Sequence, residues 1–211
     1  MRPELKVCGL TDPAFAAEAA RRGVDYVGVI FAAGSPRRVD IARARQVAAA
    51  VRKVRAESPP KVVGVFTAGP ASEIAATAAA ATLDVVQLHG AFGGAAVAEL
   101  KGAGYEVWRL WAGEAGAEDA VLLDGRDGGK TGGTGHLADW SLVGSLRERG
   151  LRVVLAGGLS AGNYAAAAAT GADVLDFNSS LETSPGVKSL QKLGELLSLS
   201  GRGQVPLSSS S

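Results

Sequence analysis

The chain has little of what metal centres, disulfide scaffolds and membrane proteins are built from. Its 211 residues include one Cys and two His, too few for an internal disulfide and poor material for a metal site. No uncharged apolar run approaches the roughly 18 residues that a membrane span needs. The N-terminal letters MRPELKV also lack the apolar segment of a signal peptide. We therefore expect a soluble, cytoplasmic protein with no metal ion.

Charge of either sign is not in excess. Lys and Arg together number 22 and Asp and Glu 21, so that neither a nucleic-acid nor a membrane partner is expected. What remains is a chain with 47% hydrophobic residues and 29 Gly, which indicates a compact core joined by tight turns. The length suits one domain. We assign residues 1–200 to this domain and 201–211 to a flexible polar C-terminal tail.

Eight short apolar runs predict eight strands. Most of them are continuous rather than alternating, as expected for parallel strands covered on both faces. Ala-rich amphipathic segments lie between the runs and predict helices, of which the first has Asp12 as N-cap and Pro13 in its first turn. The strands are predicted at 5–8, 26–31, 62–66, 85–88, 106–110, 120–124, 152–156 and 174–177, and the helices near 12–23, 41–55, 72–81, 94–102, 139–149, 161–170 and 187–198.

Eight strands alternating with helices favour a small α/β protein of the (β/α)₈ TIM-barrel class. An open doubly wound sheet is the alternative, but CGLTDP after the first strand lacks the G-x-G-x-x-G spacing of a dinucleotide-binding turn. Only WAGEAGAED separates the fifth and sixth predicted strands, enough for about two helical turns. We expect the fifth helix to be shortened or replaced by a loop.

Active sites of such barrels lie at the C-terminal ends of the strands. Two glycine-containing loops at the last two strand ends have the character of a phosphate cradle, since bare amides and hydroxyls there can approach an anion. Tight turns are the plain alternative reading of the same glycines. The candidate phosphate-binding residues are Gly157, Gly158, Asn178, Ser179 and Ser180, with Gly133, Thr134 and Gly135 in a third loop after strand six.

Three further strand-end residues are candidates for chemistry. Cys8 is the lone thiol and follows strand one, although free Cys is often no more than a small buried hydrophobe. Asp124 ends strand six, where it either caps a turn or, if desolvated, stays protonated and acts as an acid. One arginine of the pair Arg37 and Arg38 after Pro36 is expected to bind a carboxylate in bidentate fashion.

Taken together, these segments resemble the phosphoribosylanthranilate isomerase family of tryptophan biosynthesis. The resemblance spans almost the whole chain and rests on KVCGLTDP, VGVIFAAGSPRRV, VVGVF, VVQLHG, LLDGRDGGKTGGTGHLADW, VVLAGGLSAGNY and DFNSSLETSPGVK. It implies a monomeric or homodimeric (β/α)₈ barrel without cofactor, which rearranges N-(5-phosphoribosyl)anthranilate to the carboxyphenylamino-deoxyribulose phosphate.

The resemblance also assigns roles. It implies that Cys8 is the general base and Asp124 the general acid, and that Arg37 binds the anthranilate carboxylate. Opening the sugar ring requires a protonated Asp124, and so a pKa above the ordinary value of about 3.9. Asp176 in the DFNSS motif joins the substrate-binding residues. Ser180 stands where many family members have glycine.

Three alternatives are weighed against this reading. A histidine-pathway isomerase performs the same rearrangement but has an aspartate at the position of Cys8. An indole-glycerol-phosphate synthase requires a lysine and glutamates at strand ends, which KVC and LLD do not supply. A non-catalytic barrel that binds a phosphorylated ligand would keep the cradle and tolerate loss of Cys8 or Asp124, yet both are present.

Overall fold

The computed structural model describes residues 2–125 and 139–202. Eight parallel strands pair in sequence order, and β1 pairs in turn with β8, so that the sheet closes into a barrel. The predicted (β/α)₈ class is confirmed. The strands are β1 (Glu4–Val7), β2 (Tyr26–Ile30), β3 (Lys61–Phe66), β4 (Val85–Leu88), β5 (Glu106–Leu110), β6 (Ala120–Asp124), β7 (Val153–Ala156) and β8 (Val174–Phe177).

Helices cover the outside of the barrel. They are α1 (Pro13–Arg21), α2 (Ile41–Val54), α3 (Ala71–Ala81), α4 (Gly94–Gly102), α5 (Leu142–Glu148), α6 (Tyr164–Ala169) and α7 (Leu190–Leu199). Asp12 caps α1 by accepting from the Ala14 amide at 2.9 Å, and Asp40 caps α2 through the Arg43 amide at 2.7 Å. Such caps satisfy amides that a helix leaves without partners at its start. None of the helices among the described residues has the length and apolarity of a membrane-spanning segment.

The link between β5 and β6 contains no helix, as the short spacing predicts. Buried Arg109 holds this link, because its guanidinium donates to both carboxylate oxygens of Glu118, at 3.2 and 3.1 Å, and to the Glu114 carbonyl at 3.0 Å. An ion pair at 8% and 1% side-chain exposure thus takes the place of a helix that would have packed on the barrel.

The last predicted helix starts later than its apolar pattern suggests. Val187–Lys188 forms strand β10, which pairs in antiparallel fashion with β9 (Glu182–Ser184), and α7 begins at Leu190. The helix near 161–170 likewise opens with a 3₁₀ turn at Ala161–Asn163. The first strand ends at Val7, one residue before Cys8. The domain boundary proposed at residue 200 stays a prediction, since 203–211 lie outside the described residues.

Strand side chains alternate between the helices and the barrel interior, where they form layers along the axis. At the N-terminal end Arg152 bonds to Glu4, Glu106 and the Tyr26 hydroxyl. Apolar side chains fill the middle, and the polar residues of the next section follow at the C-terminal end. The apolar layer comprises Val63, Val85, Trp108, Ala120, Leu122, Val154 and Val174.

Candidate active site

A cavity of about 220 Å³ opens at the C-terminal ends of the strands. It brings together most of the residues singled out from the sequence. Its lining includes Cys8, Arg37, Asp124, Gly157, Gly158, Asp176, Asn178 and Ser179, together with Gln87 and His89. Ser180 is not part of this lining, and Gly133, Thr134 and Gly135 lie outside the described residues.

The Cys8 thiol lies at the base of the first loop. Its backbone amide donates to the Phe177 carbonyl at 2.8 Å, and its side chain packs against Ile30 and Val65 with 4% exposure. Burial raises the pKa of this thiol, and the nearby ammonium of Lys6 opposes the shift without cancelling it. The resting protein therefore holds Cys8 as a thiol at neutral pH, in an apolar pocket with the cations Lys6 and Lys188 nearby.

Lys6 is fully buried directly below the cavity floor. Its ammonium contacts the Asp176 carboxylate at 2.5 Å and the Gln87 side-chain oxygen at 2.9 Å, which joins β1 to β8 and β4. Burial alone lowers the pKa of Lys6, but Asp176 outweighs it and the net shift is upward. The other Asp176 oxygen, Oδ1, is buried without a hydrogen-bond partner among the described residues, on a side chain that lines the cavity.

Asp124 stands three strands away from Cys8 around the barrel. Its Oδ2 lies 3.0 Å from Nε2 of His89, which follows β4. Gly157, at φ +81°, packs against it so closely that a Cβ there would lie 2.4 Å from Asp124 Oδ1 and 2.3 Å from the Gly125 amide nitrogen. Only glycine fits at 157, because it has to make room for the carboxylate as well as turn the chain.

The two arginines after Pro36 lie in different places in the structure. Arg37 enters the cavity lining, with its side chain 15% exposed and its guanidinium paired to Glu182. Arg38 is exposed and lines a neighbouring cleft instead. The placement supports Arg37 over Arg38 as the carboxylate ligand, and that role stays a prediction.

The loop after β8 does not begin an α-helix. Ser179–Leu181 forms a single 3₁₀ turn, which is too short to supply the aligned amides of a helix. Asn178 is held by Lys188, whose ammonium donates to its side-chain oxygen at 2.8 Å and to its carbonyl at 3.0 Å. The Ser180 hydroxyl is buried without a hydrogen-bond partner among the described residues. An anion bound here would meet separate amides and hydroxyls rather than a helix dipole.

A larger cleft of about 560 Å³ lies beside this cavity, between the ends of β2 and β3. Its walls are Phe31, Phe66 and Ile74 with the exposed Arg38, and its Asp40 already caps α2. We assign the site to the smaller cavity because the Cys8 thiol, the Asp124 carboxyl group and the partly exposed Arg37 converge there. Within residues 2–125 and 139–202, no group of three or more His, Cys, Asp or Glu side chains is arranged to hold a metal ion.

Sequence reasoning overlooked three charged residues of this site: Lys6, Glu182 and Lys188. Lys6 carries a visible signal, since a charge inside the apolar run LKVC has to be paired when the strand is buried on both faces. Glu182 lies in a segment that reads as a polar loop, and Lys188 lies at the start of the segment predicted as the last helix. Their pairing depends on the hairpin β9–β10, which no local sequence pattern predicts.

The fold and the cavity define a single (β/α)₈ barrel with an acid and a thiol at the C-terminal mouth. The family model described as N-(5'-phosphoribosyl)anthranilate (PRA) isomerase matches residues 5–198. The chain belongs to this family, as the motifs predict.

Relatives of two lengths are similar to the chain. The N-(5'-phosphoribosyl)anthranilate isomerase of Campylobacter jejuni is 34% identical and is covered over 96% of its length by 92% of this chain. The tryptophan biosynthesis protein TrpCF of Vibrio cholerae is 37% identical, and the chain spans 41% of its length. The first relatives are thus more than twice as long as the part that matches.

Solved structures agree with the family. The phosphoribosyl anthranilate isomerase of Thermus thermophilus superposes with a TM-score of 0.76 at 31% identity, over 93% of this chain and 97% of that one. A second isomerase, crystallised with reduced 1-(o-carboxyphenylamino)-1-deoxyribulose 5-phosphate, gives a TM-score of 0.74 at 25% identity, over 94% and 98% of the two chains.

Proposed function

We propose that the chain catalyses the Amadori rearrangement of N-(5-phospho-D-ribosyl)anthranilate to 1-(2-carboxyphenylamino)-1-deoxy-D-ribulose 5-phosphate. One observation carries the proposal: Cys8 and Asp124 face the same 220 Å³ cavity from strands three apart in the barrel. A base and an acid on different walls can act on two atoms of one sugar in turn. The family and its solved structures support the same reaction.

The chemistry needs one proton donor and one proton acceptor. Asp124 in its protonated form donates to the ring oxygen as the bond from C1 to that oxygen breaks, which leaves a protonated imine between C1 and the aryl nitrogen. Cys8 as thiolate removes the C2 proton, and the electron pair neutralises the imine as an enolamine. The Cys8 thiol returns its proton to C1 while the C2 hydroxyl proton passes to Asp124, which gives the ketone and restores both groups. Atoms and electrons balance over the cycle.

The state of the thiol sets the order of these steps. Because burial raises the pKa of Cys8, its thiolate is scarce in the resting protein. A cationic imine formed beside it lowers the free energy of the thiolate, as any opposite charge does at short range. Ring opening by Asp124 therefore comes first, and Cys8 then releases its proton to solvent, so that the thiolate is formed at the step that uses it.

The cavity walls also offer ligands for the rest of the substrate. Arg37 is the candidate for the anthranilate carboxylate, and the unpartnered Oδ1 of Asp176 is an acceptor for a sugar hydroxyl. The reduced product in the similar crystal structure carries a carboxylate and a phosphate at its two ends. The phosphate is assigned to the loops that hold Gly157, Gly158, Asn178, Ser179 and Ser180, with Gly133, Thr134 and Gly135 beyond the described residues.

A direct assay tests the proposal. The protein is mixed with phosphoribosylanthranilate made in situ, and the loss of anthranilate-type fluorescence is followed. Turnover at a rate set by protein concentration supports it, and no change over the non-enzymatic decay contradicts it. Cofactor independence, cytoplasmic location and the monomeric or dimeric state remain predictions.

A further inference from the structure

We propose that Glu182 is a positioning residue that aims Arg37 at the substrate's carboxylate, and so sets the preference for a carboxylated aryl amine. The proposal rests on the isomerase function above and adds a specificity device to it. Among the described residues, Glu182 is the one carboxylate that accepts hydrogen bonds from Arg37. It lies on the short hairpin β9–β10 rather than on a barrel strand.

The pairing leaves one edge of the guanidinium open. Nε of Arg37 donates to Oε1 of Glu182 and Nη2 donates to Oε2, both at 2.7 Å. A guanidinium has five N–H groups in a rigid plane, and this contact uses the side edge formed by Nε and Nη2. Both hydrogens of Nη1 and one of Nη2 remain, and one hydrogen from each of these two nitrogens forms the end edge. That edge can bind a second carboxylate in bidentate fashion.

Glu182 is itself fixed. Its side chain is 4% exposed, and Lys188, at 3%, donates to Oε1 at 2.8 Å while also holding Asn178. Lys192 in α7 donates to the Glu182 carbonyl at 2.6 Å. A carboxylate held at its backbone by Lys192 and at Oε1 by Lys188 cannot follow Arg37 if the arginine turns. The arginine plane is therefore set by Glu182.

Two neighbouring loops are fitted to this arrangement. Thr11 donates to the Gly186 carbonyl at 3.2 Å, which ties the hairpin to the first loop of the barrel. A Cβ on Gly9, at φ +73°, would lie 2.7 Å from Cδ of Arg37 and 2.8 Å from the side-chain oxygen of Asn178. The Arg37 stem thus crosses a gap that only glycine leaves. The glycine after Cys8 makes room for the arginine.

Electrostatics keep the pair charged across the working range. Burial alone raises the pKa of Glu182, but hydrogen bonds from Arg37 and Lys188 outweigh it and lower the pKa to about 2. The bond to Glu182 raises the pKa of Arg37. Neither member loses its charge near neutral pH, so the open edge of Arg37 stays aimed and cationic.

Equilibrium binding tests the proposal. The probes are reduced 1-(o-carboxyphenylamino)-1-deoxyribulose 5-phosphate and the same compound without the carboxylate, and the ratio of their Kd values measures the preference. Glu182→Gln keeps the side-chain shape and removes the charge. Glu182→Asp keeps the charge and shortens the reach, which guards against misfolding of the first variant. Arg38→Ala and Glu99→Gln, both on exposed side chains, are the matched controls.

We expect Glu182→Gln and Glu182→Asp to reduce the preference for the carboxylated probe about 10- to 100-fold, because misaligned contacts lose affinity steeply. Binding of the carboxylate-free probe changes little, and both controls keep the wild-type ratio. In an Arg37→Ala background, the Glu182 changes cause no further loss of preference.

Two results would overturn the proposal, and both leave the Kd ratio unchanged. One is wild-type affinity for both probes in both Glu182 variants; the other is an equal loss of affinity for the two probes, which a purely structural role predicts. The outcomes separate it from the proposed function. If the protein turns over phosphoribosylanthranilate but the Glu182 variants keep the wild-type Kd ratio, only the inference is wrong. If the Glu182 variants lower the Kd ratio but the protein shows no turnover, only the isomerase function is wrong.

Discussion

At the scale of single residues, the site depends on the conflict between burial and charge around Cys8. An apolar pocket raises the pKa of a thiol, and cations lower it. Lys6 and Lys188 lower the pKa of Cys8, while burial and the Asp176 carboxylate raise it, and the net shift is upward. A base in this setting depends on the positive charge of its own substrate. A small buried hydrophobe in the same place would have no need of these cations.

Cys8→Ala separates these two roles. If Cys8 is the base, kcat falls about 10²–10⁴-fold with KM little changed. Cys8→Ser fares no better, because a hydroxyl is a far weaker base than a thiol at neutral pH. Steady-state kinetics on both variants measure this, with thermal unfolding as a check on the fold. If Cys8→Ala keeps kcat within a few-fold of wild type, Cys8 is only a buried packing residue and not the base.

Asp124→Asn tests the acid. The amide keeps a polar atom within reach of His89, and the Gly157 contact accepts a side chain of the same size. Binding of the reduced product is expected to persist, whereas kcat falls about 10²–10⁴-fold because no proton reaches the ring oxygen. Fluorescence titration measures the affinity for the reduced product, and turnover assays measure kcat. Near-normal kcat in this variant removes Asp124 from the mechanism.

At the scale of elements, regular structure follows from local pattern and the hairpin does not. The strand VVQL and the helix that begins at Pro13 are set by apolar periodicity and a cap, which act within a few residues. The hairpin β9–β10 carries Glu182, which binds Arg37, 145 positions away in the chain. Such a contact leaves no periodic signal. The ion pair of Arg109 with Glu118, nine positions along the chain, was also not predicted, although the absence of a helix in that link was.

The hairpin also has a pH signature. The pKa of Glu182 is lowered from 4.5 to about 2 in the folded state, so an unfolded chain binds its proton first as pH falls. The stabilisation is complete above pH 4.5 and is lost as the pH falls from 4.5 towards 2. The gap in free energy of unfolding between wild type and Glu182→Gln should narrow by about 1.4 kcal/mol per pH unit in this window. Urea unfolding measures it, and a constant gap contradicts the ion pair.

At the scale of the whole molecule, the barrel separates stability from chemistry along its axis. Its C-terminal mouth could be located from sequence because strand ends follow from strand order, and Cys8, Asp124 and Gly157 were found by that rule. The layers below could not be assigned in advance. Whether Lys6 meets Asp176, or Arg152 meets Glu106, depends on the registers by which eight strands close. No single segment of the chain contains that information.

Arg152→Met tests this separation at the opposite end of the barrel from the cavity. The Met side chain keeps the apolar stem and removes the guanidinium that joins Glu4, Glu106 and the Tyr26 hydroxyl. Loss of these bonds should lower the free energy of unfolding by about 1–3 kcal/mol. The apolar layer between keeps kcat and KM at wild-type values.

Arg45→Met, on the exposed face of α2, is the matched control and should leave stability unchanged. Urea unfolding and steady-state kinetics on both variants decide the outcome. Equal stability of the two variants would show that the N-terminal network contributes nothing, as many exposed ion pairs do. A fall in kcat for Arg152→Met would show that the two ends of the barrel are coupled through its interior. The layered arrangement predicts the opposite, a variant that unfolds more easily and turns over as before.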